Sequence, residues 1–249
     1  MSLSKNKIKY ITSLKEKKFR NQHKTFVAEG SKLISDLLQS MKCQLLVVSE
    51  NLKDTVFKPD VEELIIATSS EIRKASHLVT PPDAIAVFYQ SSYDYSKSEY
   101  LNKLNLVLDG IQDPGNLGTI IRIADWFGIE NIFCSMDTVD VYNTKTVQAT
   151  MGALSRVKIH YTNISDIIAQ QNSPVYGTFL DGEDIYQQQL SNKGLIVMGN
   201  EGKGIRPEIE KLITNRLYIP NFSNSSITSE SLNVAVATAV VCSEFRRRS

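Results

Sequence analysis

Apolar and polar positions alternate along this chain with periods that switch between those of strands and helices. Short apolar runs predict buried strands at 45–48, 64–67, 84–88, 106–108, 131–134, 157–159, 175–180, 195–198 and 217–220. Apolar residues three to four positions apart predict intervening helices, among them 33–38, 70–75, 117–127, 141–154, 164–170, 207–212 and 231–245. This regular alternation of the two kinds of element predicts an α/β fold.

A polar stretch divides the chain into two predicted domains. Residues 91–98 carry Ser, Tyr, Asp and Lys without any periodicity, which is typical of a linker. We therefore predict a small N-terminal α/β domain over residues 1–95 and a second α/β domain over residues 104–249.

The second domain has polar, turn-forming loops after three of its predicted strands. The first loop contains Asp109-Gly110 and Asp113-Pro114-Gly115-Asn116, the second runs from Gly199 to Gly204, and the third is the Ser- and Asn-rich stretch 221–229. Ligands of open α/β sheets bind beyond the carboxyl ends of the strands. Three such loops in one domain favour a ligand site over a set of tight turns.

Two phosphate-binding motifs do not fit these loops. A P-loop requires Gly-Lys followed by Ser or Thr, whereas Gly202-Lys203 is followed by Gly204. The glycines of the first loop do not match the GxGxxG spacing of a dinucleotide fold. The loops therefore predict a ligand site of another kind.

Charge is distributed unevenly along the chain. Residues 1–32 hold nine basic and two acidic side chains, a net +7, so the rest of the chain carries −6 to give the overall +1. A basic arm of this kind is typical of polyanion binding, although a solvated helix face is the simpler alternative. Within the arm, we predict that Lys17, Lys18 and Arg20 contact the phosphates of such a polyanion.

Composition excludes several other classes of protein. The cysteines Cys43, Cys134 and Cys242 lie far apart without a CxxC pair, so we expect no zinc site and no disulfide framework, as in a reducing cytoplasm. We predict no membrane association, because the longest apolar run, 232–242, is too short to span a bilayer. The isolated histidines show no metal-ligand spacing, and no metal is expected.

Three segments of the second domain resemble the three signature motifs of the SpoU/TrmH family of RNA ribose 2′-O-methyltransferases. They are DGIQDPGNLGTIIRIADWFGI, IVMGNEGKGI, and YIP followed by SLNVAVATAV. The N-terminal part is similar to the family's substrate-binding extension in ITSLKEKKFR, FVAEG and TPPDAIAVF. That extension has the fold of a small RNA-binding ribosomal protein, and it is typical of the branch that modifies rRNA.

The resemblance implies a fold, a cofactor and partners. The implied fold is an α/β domain with a deep trefoil knot, the SPOUT class, which folding rules alone would not suggest. The implied cofactor is S-adenosylmethionine, and the implied partners are RNA and a second copy of the chain in a homodimer. The substrate is expected to be ribosomal RNA. Methylation of tRNA and a catalytically idle RNA-binding or assembly protein are the alternatives.

The resemblance also implies roles for individual residues. The implied polar catalytic set is Asn116, Arg122, Glu201, Ser231 and Asn233. The implied cofactor contacts, largely through main-chain groups, are Thr178, Leu180, Gly199, Asn200, Gly202, Ile219 and Leu232. Arg122 would act either as the base or, more easily for a guanidinium, as a clamp that orients the 2′-hydroxyl. The loop 221–230 is longer than the family pattern, so we expect it to order only with ligand.

Overall fold

The computed structural model of the protein describes residues 2–53, 61–93, 95, 100–223 and 230–247. Its helices are α1 Lys5–Ser13, α2 Lys17–His23, α3 Ser31–Leu37, α4 Ser69–Ala75, α5 Pro114–Trp126, α6 Thr144–Thr150, α7 Ile164–Ala169, α8 Pro207–Glu210 and α9 Val234–Arg247. Its strands are β1 Thr25–Glu29, β2 Cys43–Ser49, β3 Leu64–Ala67, β4 Ala84–Tyr89, β5 Leu104–Asp109, β6 Asn131–Cys134, β7 Lys158–Tyr161, β8 Val175–Asp184, β9 Gly194–Gly199 and β10 Asn215–Tyr218.

The chain forms two compact units. The first contains Met1–Ser92 and Asp140–Arg156, and the second contains Tyr93–Val139 and Val157–Ser249. The segment Asp140–Arg156, which includes α6, thus packs with the N-terminal residues, although the chain on either side of it belongs to the second unit. The predicted linker is described only at 91–93 and 95.

The first unit is built on a four-stranded sheet in the order β1-β4-β2-β3. β4 is antiparallel to both of its neighbours, whereas β2 and β3 are parallel. Val27, Val47 and Val87 point to one face, where they pack with Ile11 of α1 and Ile72 of α4. Burial of this apolar face is the main contribution to the stability of the unit.

Arg20 of α2 lies inside the first unit, which corrects the prediction that it contacts RNA. Its side chain is 3% exposed and forms an ion pair of 2.6 Å with Asp140. The guanidinium also donates to the carbonyl oxygens of Leu14 and Lys15, at 2.8 and 2.6 Å. Because its donors are used internally, Arg20 is a structural residue. Lys17 and Lys18 remain exposed.

The second unit is built on a six-stranded sheet in the order β10-β8-β9-β5-β6-β7. All of its strand pairs are parallel. The central strands β5 and β9 are buried along their full length, as expected for a parallel sheet that is covered on both faces. The parallel arrangement brings the carboxyl ends of the strands to one edge of the sheet.

Two predicted helices begin later in the structure than the sequence pattern predicts. The helix predicted over 141–154 is the shorter α6, which the side chain of Asn143 caps. The helix predicted from 231 begins only at Val234, because the side-chain oxygen of Asn233 accepts hydrogen bonds from the amides of Ala235 and Val236. An N-cap residue has non-helical backbone angles, so Ser231 and Leu232 lie outside the helix.

Candidate functional site

Three parallel strands of the second sheet, β10, β9 and β5, end at one edge and are followed by Ile219, Asn200 and Gly110. Strand β8 lies between β10 and β9. Its pairing with β9 ends at Gly177, and the strand continues through Thr178 and Leu180 to Asp184, beyond the end predicted at 180. The polar loops predicted as ligand loops therefore lie side by side. The third loop is described at 221–223 and from residue 230, so the expected ordering of 221–230 falls largely outside the described residues.

The loop after β5 is shaped by turn and capping residues. Gly110 has a φ of +73°, a left-handed conformation that glycine adopts without strain. Asp113 is the N-cap of α5, because its side chain accepts from the amide of Asn116 at 2.9 Å. Pro114 occupies the first turn, where the missing N–H costs no hydrogen bond. This local chemistry fixes Asn116 at the start of the helix.

The loop after β9 is closed by its own hydrogen bonds. Asn200 and Gly204 exchange two main-chain hydrogen bonds of 2.9 Å. The Asn200 side-chain oxygen accepts from the amides of Gly202 and Lys203 at 3.0 Å, and its amide donates to the Gly110 carbonyl at 2.7 Å. A Cβ on Gly199 would lie 2.3 Å from the Gly204 carbonyl carbon. The loop itself therefore requires glycine at 199.

Glu201 connects the two loops and Asn116. One of its carboxylate oxygens accepts from the Asp113 amide and from the Asn116 side chain, both at 3.1 Å. The other accepts from the Gln112 amide at 3.2 Å. Asn116 in turn accepts a 3.0 Å hydrogen bond from the side chain of Asn233. One hydrogen-bonded chain thus joins residues from all three motifs.

The environment of Glu201 lowers the pKa of its carboxyl group. Partial burial alone would raise this pKa, but the donors together outweigh it: the Asn116 side chain and the amides of Glu201, Asp113 and Gln112. Hydrogen bonds to the ionised form of a carboxylate favour that form. Glu201 is therefore a carboxylate at neutral pH, and it acts as an acceptor in this cluster.

An ion pair between the buried Asp109 and the partly exposed Arg206 holds the far end of the loop after β9. Asp109, the last residue of β5, has a fully buried side chain that accepts from the Arg206 amide at 2.8 Å and from its Nε at 2.7 Å. The pKa of Arg206 is raised, first by the hydrogen bond to Asp109. Because Arg206 precedes α8, this pair fixes the loop 200–206 to the end of the neighbouring strand.

The structure brings together only part of the predicted catalytic set. Asn116, Glu201 and Asn233 line one open cleft, whereas Ser231 is exposed two residues before Asn233. Arg122 is exposed on α5, does not line the cleft, and makes no hydrogen bond or ion pair with any residue that the structure describes. Asn116 accordingly donates to Glu201 and not to Arg122 of the same chain.

The predicted cofactor contacts lie within β8, at the end of β9 and in the segments that follow β9 and β10. Thr178 and Ile219 are half-buried, Gly199 is buried, and Asn200 and Gly202 belong to the closed loop. The Thr178 hydroxyl lies 3.9 Å from the Met198 sulfur. Leu180 and Leu232 are 70% and 51% exposed. The edge therefore combines main-chain groups with accessible apolar side chains.

Sequence reasoning missed Asp109, Gln112 and Arg206 as parts of the site. Gln112 directly precedes the Asp113-Pro114 pair, and this pair is a helix-capping signal that could have been recognised. Asp109 and Arg206 gave no such signal, because their contact depends on β5 lying beside β9.

Among the described residues, no group of three or more His, Cys, Asp or Glu side chains is arranged to hold a metal ion. None of the helices in the described ranges is long and apolar enough to cross a membrane.

Comparison with known proteins shows the family to which the chain belongs. Residues 103–243 match the SpoU rRNA Methylase family, and residues 5–86 match an MRM3-like substrate binding domain. The 23S rRNA (guanosine(2553)-2′-O)-methyltransferase RlmP of Bacillus subtilis is 29% identical, over 98% of this chain and 98% of that protein.

Two solved structures are similar over almost the whole chain. A TrmH-family protein from Porphyromonas gingivalis is 42% identical with a TM-score of 0.89, covering 99% of both chains. An AdoMet-bound rRNA methyltransferase from Sinorhizobium meliloti is 29% identical with a TM-score of 0.86, covering 99% of this chain and 97% of that one. The fold and the strand-end site define an α/β protein of the SpoU/TrmH type. The chain belongs to the SpoU rRNA methylase family.

Proposed function

We propose that the protein transfers the methyl group of S-adenosylmethionine to a ribose 2′-hydroxyl of ribosomal RNA. The observation that carries this proposal is the chain of hydrogen bonds from Glu201 through Asn116 to Asn233. It joins the three motifs in one cleft, where these polar side chains would contact a substrate hydroxyl. The rRNA-directed names of the relatives support the choice of RNA.

The strand-end edge fits the cofactor. The exposed apolar side chains of Leu180 and Leu232 offer surface to a flat adenine ring, and half-buried Ile219 lies at the same edge. Main-chain groups around Gly199 and Thr178 are suited to hydrogen-bond the polar atoms of the nucleoside. We propose that these residues, with Asn200 and Gly202, hold S-adenosylmethionine, which supplies an electrophilic methyl group when bound.

The polar cluster would align the nucleophile. A ribose hydroxyl is a weak nucleophile, so the reaction depends on its orientation and on removal of its proton. Glu201 as a carboxylate holds the Asn116 amide, and Asn116 fixes Asn233 at the start of α9. Ser231, which is exposed two residues before Asn233, is proposed to contact the ribose. Arg122 is proposed to orient the 2′-hydroxyl through a flanking phosphate or to act as the base.

We also propose a homodimer and a knotted chain. Along the outer face of α5, exposed Arg122 is followed one turn later by Trp126, which is 84% exposed, and Val236 on α9 is 51% exposed. Exposure of a large aromatic side chain to water is unfavourable, and this favours its burial against a second copy of the chain.

The proposal of a trefoil knot has two supports. The chain is similar to TrmH-family structures, and after β10 it returns to α5, where Asn233 contacts Asn116.

RNA capture is proposed for the N-terminal unit. Lys17 and Lys18 are exposed on α2, and the match to a substrate binding domain covers this region. Lys18 is also 3.0 Å from Glu16, an exposed pair that solvent and RNA can readily separate.

The three cysteines are buried and free, which supports the predicted cytoplasmic location.

The direct test is methyl transfer in vitro. The protein is incubated with methyl-labelled S-adenosylmethionine and either unmodified 23S rRNA or a tRNA pool, and the label is sought in alkali-resistant dinucleotides. A 2′-O-methyl group blocks cleavage by alkali, so label in that fraction identifies ribose methylation. Label confined to tRNA would favour the tRNA alternative. Calorimetry that detects no cofactor binding would favour the idle RNA-binding alternative.

A further inference from the structure

The charged side chains that line the cleft around Glu201 are three acidic and two basic. Asp113, Asp137 and Glu201 line it, against the two cations Lys203 and Arg206. RNA is a polyanion, and charges within about 10 Å of one another are only partly screened at 0.1 M salt. A ribose that enters this cleft brings phosphates on both sides toward three carboxylates. A cation must offset that repulsion.

The two cations of the cleft are not equivalent. The Arg206 guanidinium is committed to the buried Asp109, with Nε at 2.7 Å from the carboxylate. Asp137 lies 3.8 Å from the same guanidinium, and Glu208 lies 3.8 Å from its Nε. Arg206 thus serves to hold the loop, and its charge is already balanced by neighbouring carboxylates.

Lys203 is the other cation, and its charge is available. Its side chain is exposed at the tip of the loop and makes no ion pair or hydrogen bond within the ranges that the structure covers. Its main chain is nevertheless fixed, because its amide donates to the Asn200 side chain at 3.0 Å. The flanking Gly204 has a φ of +70° and closes the loop back onto Asn200.

We propose that Lys203 binds a backbone phosphate next to the ribose in the cleft. This inference rests on the proposed function, because it deepens the account of how RNA reaches the site. A lysine on a fixed loop supplies a mobile positive charge at a defined position, which suits a phosphate whose exact place varies with sequence. Neither the cofactor contacts nor the Glu201 cluster uses this side chain.

The test is a salt titration of RNA affinity with matched lysine variants. Full-length protein is titrated with unmodified 23S rRNA transcribed in vitro, between about 50 and 200 mM salt. Lys203→Gln should flatten the log-log slope by about 0.7–0.9, so its loss of affinity should be about threefold larger at the low-salt end. Lys203→Arg should keep the slope. Lys193→Gln is the control, since Lys193 is exposed at the opposite end of β9.

Two further measurements separate the alternatives. An unchanged slope in Lys203→Gln, or an equal change in Lys193→Gln, overturns the proposal. So does a loss of S-adenosylmethionine affinity in Lys203→Gln with the RNA slope intact, because Lys203 would then serve the cofactor. RNA binding is measured without turnover. Failure of the wild type to methylate this RNA would therefore contradict the proposed function and leave the test of Lys203 standing.

Discussion

The side chain of Asn233 donates a 3.0 Å hydrogen bond to the side chain of Asn116, a residue 117 positions earlier in the chain. Asn116 lies in the first turn of α5, and Asn233 caps α9. Arg246 near the end of α9 donates to the carbonyl oxygens of Phe127 and Gly128, just after α5. The two helices are thus joined at both ends, which fixes Asn116 relative to α9.

Asn233→Asp should separate the capping role of this residue from its bond to Asn116. A carboxylate still accepts from the amides of α9, and an anion is favourable at a helix N-terminus. It cannot donate to Asn116, so we expect turnover to fall about tenfold, the equivalent of about 1.4 kcal/mol, with little change in melting temperature. Asn233→Ala should lose both contacts and about 1 kcal/mol of stability. Wild-type turnover in Asn233→Asp would remove the bond from the mechanism.

Glu201 should contribute stability that disappears in acid. Its pKa in the folded protein is lowered, so the unfolded chain binds the proton more readily. The contribution is therefore present above the ordinary glutamate pKa of about 4.3 and is lost as pH falls through the lower folded value. Denaturant unfolding of Glu201→Gln and wild type between neutral pH and the acid range checks this. The difference between the two proteins should shrink below about pH 4; a gap that grows there would contradict it.

Arg20 and its neighbours on α2 should respond differently to substitution. Removing a partner of a buried ion pair leaves an uncompensated charge, so Arg20→Gln should cost about 3 kcal/mol of stability by leaving Asp140 unpaired. The double variant Lys17→Gln/Lys18→Gln should leave stability unchanged and flatten the salt dependence of RNA affinity by about 1.4–1.8 in log-log slope. A loss of stability in the double lysine variant, together with a stable Arg20→Gln variant whose RNA affinity has a flatter salt dependence, would contradict the buried position of Arg20 and the proposed RNA contacts of Lys17 and Lys18.

The strand-end loops were predictable from local signals, because turn-forming residues directly follow apolar runs. The set with Asn116, Glu201 and Asn233 was implied by the resemblance to the SpoU/TrmH motifs, and the structure joins these three side chains by hydrogen bonds. The sequence did not predict the burial of Arg20. The sequence of a basic helix does not show whether its arginine is exposed to solvent or pairs with a distant carboxylate. In this protein, Arg20 pairs with Asp140, 120 residues further along the chain. The structural reason for glycine at position 199 could not be predicted either. Gly199 lies close to the main chain of Gly204, and the closed loop creates this contact. Such contacts depend on tertiary structure that periodicity does not encode.

Arg122→Ala should leave folding and S-adenosylmethionine binding intact and reduce methyl transfer by more than about 100-fold, the usual scale for a base or orienting group. The side chain is exposed and makes no bond among the described residues, so its loss should not change the melting temperature. Arg122→Lys distinguishes the two roles. A phosphate clamp should retain part of the activity with lysine, whereas near-normal turnover in the alanine variant would exclude Arg122 from the reaction.

The central claim is that this protein methylates a ribose of ribosomal RNA. The most direct measurement maps 2′-O-methyl groups across rRNA and tRNA from cells with the gene, from cells without it, and from deleted cells complemented with either the wild type or the Arg122→Ala variant. The account predicts a methylated position in rRNA that vanishes without the protein and that wild type, but not the variant, restores. Unchanged rRNA methylation in the deleted cells, or a loss confined to tRNA, would contradict it.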